Sequence, residues 1–288
     1  MRSSRLQSLI DRSLAAGLKH YDPEAGLSGD YDPHFFLPET LQAHFRQPFS
    51  ARALHPFRDS LSLALLLLVE DKEKAIAERI LTEFCRNCPE PDGRLKWFLE
   101  EKHVRDNNGT FFSTEPLLLI EHCFGDSLPA ELHSRIIEIL KKTLPVFQQE
   151  REKNSLSYVN PTLAAFTFSA LLSEKFAPGQ KQEAADAFRK YIGWLTENGM
   201  PENYTVTYMT VDMLMLLCVL IVSSNAEFRQ AASDFLKNMI FRQFAFFGSR
   251  YPAPFRRGYN GFYETERKGM LPYLLNWRDT FEIPEKEI

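Results

Sequence analysis

PTLAAFTFSALLSEKF (residues 161–176) is followed after a short break by GQKQEAADAFRKYIGWLTE (residues 179–197). The first segment is apolar on almost every side, and the second carries a single apolar stripe among charged residues. A helix that is apolar all round must be buried, whereas a one-striped helix lies on a surface with its stripe turned inward. The pair therefore reads as one inner and one outer helix of a hairpin.

The same pairing recurs along the chain. Residues 57–70 are nearly all apolar after Asp59, and 71–87 alternate Ile76, Ile80, Leu81 and Phe84 with Lys72, Glu73, Lys74, Glu78 and Arg79. Apolar 115–124 precedes amphipathic 129–150, and apolar 206–223 precedes amphipathic 226–245. Leu6, Leu9, Ile10, Leu14 and Leu18 place a further helix over 3–18 by their spacing of three and four. No segment alternates with period 2 for long enough to predict a sheet. The fold expected is all-α: a single domain over 1–288, built as an incomplete α/α toroid of about four to five helical hairpins, inner helices ringed by outer ones. Residues 20–55, with Tyr-Asp-Pro at 21–23 and again at 31–33, form a long irregular stretch, which in a compact domain is functional or wraps the fold.

Bulk properties narrow the function. Hydrophobic content of 44% and charged content of 25% describe an ordinary globular chain. A net charge of -4 leaves no footprint for nucleic acid. The longest apolar run, Met213 to Val222, is too short to span a bilayer, so no membrane association is expected. The N-terminus is basic and leads into an amphipathic stretch without an apolar h-region, so no secretory signal is expected and cytoplasmic residence follows by default. Four cysteines make no disulfide framework at this length. Cys85-Arg86-Asn87-Cys88 is a lone C-x-x-C without the second pair of a structural zinc site. No Gly-rich phosphate loop or nucleophile elbow is present. Neither a metal nor a cofactor is expected, and nothing in the sequence fixes an oligomeric state.

A polar and aromatic cluster stands before each apolar helix: His55-Pro56-Phe57-Arg58-Asp59-Ser60, Ser113-Thr114-Glu115-Pro116, Asn160-Pro161-Thr162 and Glu202-Asn203-Tyr204-Thr205-Val206-Thr207-Tyr208. Arg256-Arg257-Gly258-Tyr259-Asn260 forms a last one. Asn160 before Pro161, and Thr114 before Glu115-Pro116, read as helix N-caps. Inner helices arranged in a ring would gather all these tips at one mouth.

The clusters resemble those of a group of bacterial and fungal α/α-toroid proteins, distantly similar to the toroid domains of heparinase- and alginate-lyase-type polysaccharide lyases. His55 to Ser60 matches the group's His-Pro-x-Arg-Asp-Ser element, Trp97 to Glu101 its Trp-x-x-Glu-Glu-like element, and Tyr158-Val159-Asn160 its Tyr-Thr-Asn-like segment. Pro201 to Tyr208 is similar to Ser-Glu-Tyr-Asn-Ser-Pro-Thr-Tyr, keeping Glu202, Thr207 and Tyr208, with the Tyr-Asn pair reversed as Asn203-Tyr204. Ala253 to Tyr259 is similar to Gly-Pro-His-Ser-Arg-Ala-Tyr; Arg257 and Tyr259 match, but Phe255 replaces the histidine. The resemblance covers roughly residues 50–265 and implies a toroid that binds carbohydrate, with histidine-based catalysis put in doubt by Phe255.

Two chemistries fit these residues. β-Elimination on a uronic-acid glycan needs a group that neutralises the carboxylate, a base for the C5 proton and an acid for the leaving oxygen. Arg58, Arg257 and Asn203 are candidate neutralisers, since a guanidinium fork suits a carboxylate. Tyr208 and Tyr259 are candidate acid/base groups. Against this, Arg58-Asp59 reads equally as a structural ion pair and Tyr208 as a core residue. Glycoside hydrolysis would instead pair two carboxylates from Asp59, Glu115 and Glu202, although acids at helix starts are favoured by the macrodipole in any protein. His55, Glu115, Asn160 and Asn203 are expected to contact the ligand, an oligosaccharide or other small polar molecule. Trp97 and Tyr251 are expected to stack on a sugar ring, while Phe241, Phe244, Phe246 and Phe247 read as core. The remaining alternative is a non-catalytic helical scaffold.

Overall fold

The computed structural model describes residues 4–29, 53–153, 159–200 and 206–247. Among them the chain is all-α, with nine α-helices and one small hairpin. It divides into two compact units, Ile10–Phe147 and Met1–Leu9 with Gln148–Ile288.

In the unit Ile10–Phe147 the central element is α2 (Phe57–Val69), preceded by α1 (Ser4–Lys19) and the strands β1 (Tyr21–Asp22) and β2 (Leu27–Ser28). Next follow α3 (Lys74–Asn87), α4 (Asn108–Phe124) and α5 (Ala130–Lys153). Phe57, Ser60, Leu61, Leu63, Ala64, Leu67 and Leu68 are the buried positions of α2, and they pack on α3 and α4. The phenyl rings of Phe57 and Phe84 meet edge to face at 5.7 Å. α1 crosses α2 where Gly17 leaves room for Leu63: a Cβ there would come within 2.7 Å of a Leu63 methyl.

The hairpin is minimal, pairing Tyr21 with Ser28 and Asp22 with Leu27. Asp22 closes its turn by accepting from the N–H groups of Glu24 and Ala25 at 2.8 and 3.3 Å, and Gly26 supplies a φ of 69°. Period-2 reasoning could not find strands this short. Ser28 N–H donates to Ser60 Oγ at 2.9 Å, and that hydroxyl donates on to Pro56 O at 2.8 Å. Ser60 thus ties the hairpin to the first turn of α2. Ser60→Ala leaves the buried Ser28 N–H without its acceptor and is expected to cost about 1–2 kcal/mol, read as a shift in the urea unfolding midpoint.

Two helix starts depart from expectation: Asn160, expected as an N-cap, lies inside the helix Val159–Phe176, and the other is the start of α4. Thr114 was to cap a helix beginning at Glu115; instead α4 begins at Asn108 and Pro116 lies inside it. The N-cap is Asn107, and the carboxylate of Asp106 just before it accepts from Asn108 N–H at 2.9 Å. Gly109 lets the new helix touch the 95–97 backbone, since a Cβ would stand 2.8 Å from Leu95 O. Thr110 Oγ1 then accepts from Leu95 N–H at 2.9 Å. Thr114 turns its hydroxyl back to Thr110 O at 2.8 Å, the bond of a mid-helix threonine and not of a cap.

In the unit containing Gln148–Ile288, α6 (Val159–Phe176) and α8 (Val206–Val222) pack on each other, α6 on α7 (Lys181–Asn198), α8 on α9 (Ala226–Phe247), and α7 on α9. Two helical hairpins therefore lie side by side, with the apolar helices together and the amphipathic ones together. From Thr162 to Ser173 every residue of α6 is buried. Phe166 stacks on Tyr191 at 4.7 Å, and Phe188 meets Phe228 edge to face at 4.6 Å. Glu174 binds the α8–α9 turn through Ser223 Oγ, Ser224 N–H and Ser224 Oγ, and Asn225 Oδ1 caps α9 by accepting from Glu227 and Phe228 N–H.

Candidate functional site

His55 sits in an extended segment that pairs antiparallel with the stretch around Phe98. Phe57 N–H donates to Trp97 O at 2.9 Å and Leu99 N–H to His55 O at 3.1 Å. These bonds fix the imidazole between two carboxylates: Nδ1 lies 2.6 Å from Glu100 Oε1, and Nε2 lies 3.1 Å from Asp22 Oδ2. Glu100 also accepts from His55 N–H at 3.1 Å. The hydrogen bond to Glu100 is the largest influence raising the His55 pKa, against the opposing effect of burial; the bond from His55 lowers that of Asp22. Carboxylate oxygens only accept, so the doubly protonated ring, donating from both nitrogens, is the form that these two partners favour. Gly29 packs against it so closely that a Cβ would lie 2.4 Å from Cδ2. With both nitrogens occupied, His55 is a clamp joining the hairpin, the 97–101 stretch and the start of α2.

Glu101 has a comparable place. It is buried, and its carboxylate accepts from the N–H groups of Trp97 at 2.8 Å and Arg105 at 3.2 Å. Burial raises its pKa while those bonds oppose the rise.

Arg58, the second residue of α2, has different partners. Its guanidinium carbon lies 5.0 Å from the centroid of the Phe112 ring, within cation–π range. Among the described residues no carboxylate comes within 4.0 Å of it. Trp97 stands against the same ring at 5.3 Å and stacks on Phe98 at 6.3 Å. Phe112 and Glu115, three residues apart on α4, share one face of the helix. Protein atoms crowd the Glu115 carboxyl, and this desolvation raises its pKa to about 7, with the Arg58 charge pulling it back. Arg58, Trp97, Phe112 and Glu115 are all half-buried. Together they make a surface with an aromatic wall, a cation and a carboxyl that titrates near neutrality. Asp59, in the first turn of α2, borders it in sequence and is half-buried too.

The other expected residues are distributed as follows. Asn160 is buried in the first turn of α6, within the second compact unit. Tyr208 belongs to α8, and its side chain lies outside the described residues, as do Glu202, Asn203, Tyr251, Arg257 and Tyr259 in full. The side chains of Phe241, Phe244, Phe246 and Phe247 lie outside them as well. Asp22, Glu100 and Phe112 were not among the expected site residues. Glu100 was visible only as part of the Trp97–Glu101 element, and Phe112 would have stood out had α4 been started at Asn108.

Elsewhere, burial raises the Cys85 thiol to about 12 and the Cys88 thiol well above its ordinary value. Among the described residues no group of three or more His, Cys, Asp or Glu could hold a metal ion, and no helix is long and apolar enough to cross a membrane. An open groove of about 360 Å³ runs along α1, lined by Asp11, Leu14, Ala15, Leu18, Leu67, Lys72 and Glu73; none of the candidate residues among those described borders it.

No family model, curated protein or solved structure matches the chain.

Proposed function

We propose that the chain is a carbohydrate-binding protein of the α/α-toroid type, that the Arg58–Trp97–Phe112–Glu115 face accepts an acidic sugar, and that the reaction is β-elimination on a uronic-acid glycan. The supporting observation is the guanidinium of Arg58, laid on the Phe112 ring with no carboxylate in ion-pair range among the described residues. A half-buried cation held by an aromatic face is ready to take a ligand carboxylate through its planar fork. Trp97 offers a flat apolar surface to the ring of the same sugar. In this reading Arg257 and Asn203 assist in neutralising the carboxylate, and Tyr208 and Tyr259 carry the proton from C5 and to the leaving oxygen.

Glycoside hydrolysis is favoured by a different observation, the Glu115 pKa of about 7. A carboxyl protonated near neutral pH suits a general acid, with Asp59 or Glu202 as the second carboxylate. Products separate the two. Incubation with polygalacturonate, alginate and heparan sulfate is expected to give unsaturated ends absorbing in the ultraviolet. Arg58→Ala and Tyr208→Phe should each lower the rate by about 10²–10³-fold. Equal signals from all three proteins would end the lyase reading, reducing ends without ultraviolet absorption would favour hydrolysis, and binding without either product would leave a non-catalytic sugar-binding protein.

A further inference from the structure

Resting on that reading of the site, the way three elements meet there gives His55 a further role. Phe112 is on α4, Arg58 on α2 and Trp97 on the 95–105 stretch, and the phenyl ring has Arg58 at 5.0 Å and Trp97 at 5.3 Å. A sugar that lays its ring on Trp97 and its carboxylate on Arg58 needs those two side chains at a fixed separation. Gly109 seats the stretch on α4, since a Cβ there would lie 3.1 Å from both N and Cδ1 of Trp97. Leu95 N–H, donating to Thr110 Oγ1 at 2.9 Å, adds a second tie to the same helix. Toward α2 the backbone attachment is the antiparallel bridge Pro56–Phe98, flanked by Phe57 N–H to Trp97 O and Leu99 N–H to His55 O. Pro56 has no N–H with which to add a third bond.

The Glu100 carboxylate lies at the end of that bridge. Its Oε2 accepts from His55 N–H at 3.1 Å, and its Oε1 lies 2.6 Å from Nδ1 of the same residue. A carboxylate held at both oxygens cannot turn without breaking a bond, and bonds to an ionised acceptor are the strong ones. Glu100 is three residues from Trp97, and His55 is three residues from Arg58. The other ring nitrogen, Nε2, serves the hairpin through Asp22 at 3.1 Å.

We propose that His55 is a positioning residue for this face: its Nδ1 bond to Glu100 holds Trp97 at the spacing from Arg58 that an acidic sugar requires. The Nε2 bond to Asp22 anchors the hairpin and has no part in that spacing. Positioning and anchoring thus run through different nitrogens of one ring, and substitution can take them apart.

The indole N–H resonance of Trp97 reads the placement without any ligand. Trp97 Nε1 is buried with no hydrogen-bond partner, so its shift follows the neighbouring Phe98 and Phe112 rings. At pH 6 that resonance is expected to move in His55→Ala. It should also move in Glu100→Gln, which keeps the shape but turns an amide N–H toward one of the two His55 donors. It should keep its place in Asp22→Asn, and in His55→Asn, whose amide nitrogen stands about where Nδ1 does. Calorimetry of the whole chain with trigalacturonate should follow the same order. Kd is expected to rise about 5- to 150-fold in His55→Ala, to return toward the wild-type value in His55→Asn, and to stay unchanged in Asp22→Asn, although both Asn variants unfold at lower urea. Wild-type Kd and an unmoved Trp97 resonance in folded His55→Ala and Glu100→Gln would overturn the proposal and leave the site reading intact. Glu100→Gln decides by the same two readouts if His55→Ala does not fold. A Trp97 resonance that moves as expected, in a protein that does not bind trigalacturonate, would overturn the site reading and the role of His55 in binding with it.

Discussion

His55→Ala is expected to cost about 2–4 kcal/mol, because it leaves Glu100 and Asp22 facing each other's charge with no cation between them. The histidine spends both ring nitrogens on those carboxylates and donates its backbone N–H as well. Truncation therefore removes the two ring bonds, leaves only the backbone N–H bond to Glu100, and takes the cation from between two acids, one of them mostly buried. The loss is also local. Amide hydrogen exchange should quicken in 21–28 and 97–101 while α6 and α7 stay protected.

The pH dependence has a definite sign. His55 has a raised pKa, so its contribution is complete below its ordinary value of 6.5 and disappears as pH climbs through the folded value. Asp22 has a lowered pKa, so its contribution is present above 3.8 and is lost as pH drops through the folded value. The clamp is thus strongest between about pH 4 and 6.5, and the gap between wild type and His55→Ala should narrow by pH 9. Chemical denaturation of both proteins at pH 6 and pH 9 reads this directly. A gap that widens at pH 9 would show that the ring is not held as an imidazolium.

Arg58→Ala is the second large effect, and it falls on binding. The side chain leans on Phe112 and has no ion pair among the described residues, so its removal breaks no ion pair, although Glu115 loses the charge that holds its pKa down. Stability should change by less than about 1 kcal/mol. Affinity for trigalacturonate should drop by about 2–4 kcal/mol, roughly 30- to 700-fold in Kd. Arg58→Lys keeps the charge but loses the fork and the flat contact with the ring, and should recover only part of the affinity. The opposite balance, a large stability loss with unchanged affinity, would make Arg58 a packing residue.

The helices were legible because their signal is a period. The pairing of 57–69 with 74–87 and the greasy run from Thr162 to Ser173 can be read from apolar spacing alone. The start of α4 was not, since Asn107-Asn108-Gly109 reads as a turn until the Asp106 carboxylate accepts from Asn108 N–H and Gly109 is pressed against Leu95 O. That misplacement hid the candidate face. With the helix started at Glu115, Phe112 falls outside it, and the shared face of Phe112 and Glu115 vanishes. The clamp was hidden for another reason: Asp22 and Glu100 lie 33 and 45 positions from His55, and no local spacing links them. The element His55 to Ser60 reads as one unit in the sequence, yet its members divide. His55 and Ser60 bind neighbouring backbone and carboxylates, and Arg58 alone faces outward as a cation.

The most direct test of a site at Arg58, Trp97, Phe112 and Glu115 is to follow the indole N–H resonances of the three tryptophans by NMR during a trigalacturonate titration at pH 6. Trp97 is expected to shift with the ligand while Trp194, on α7, stays put, and the Trp97 shift should disappear in Arg58→Ala. Saturable binding that moves Trp194 and leaves Trp97 unchanged would contradict the account.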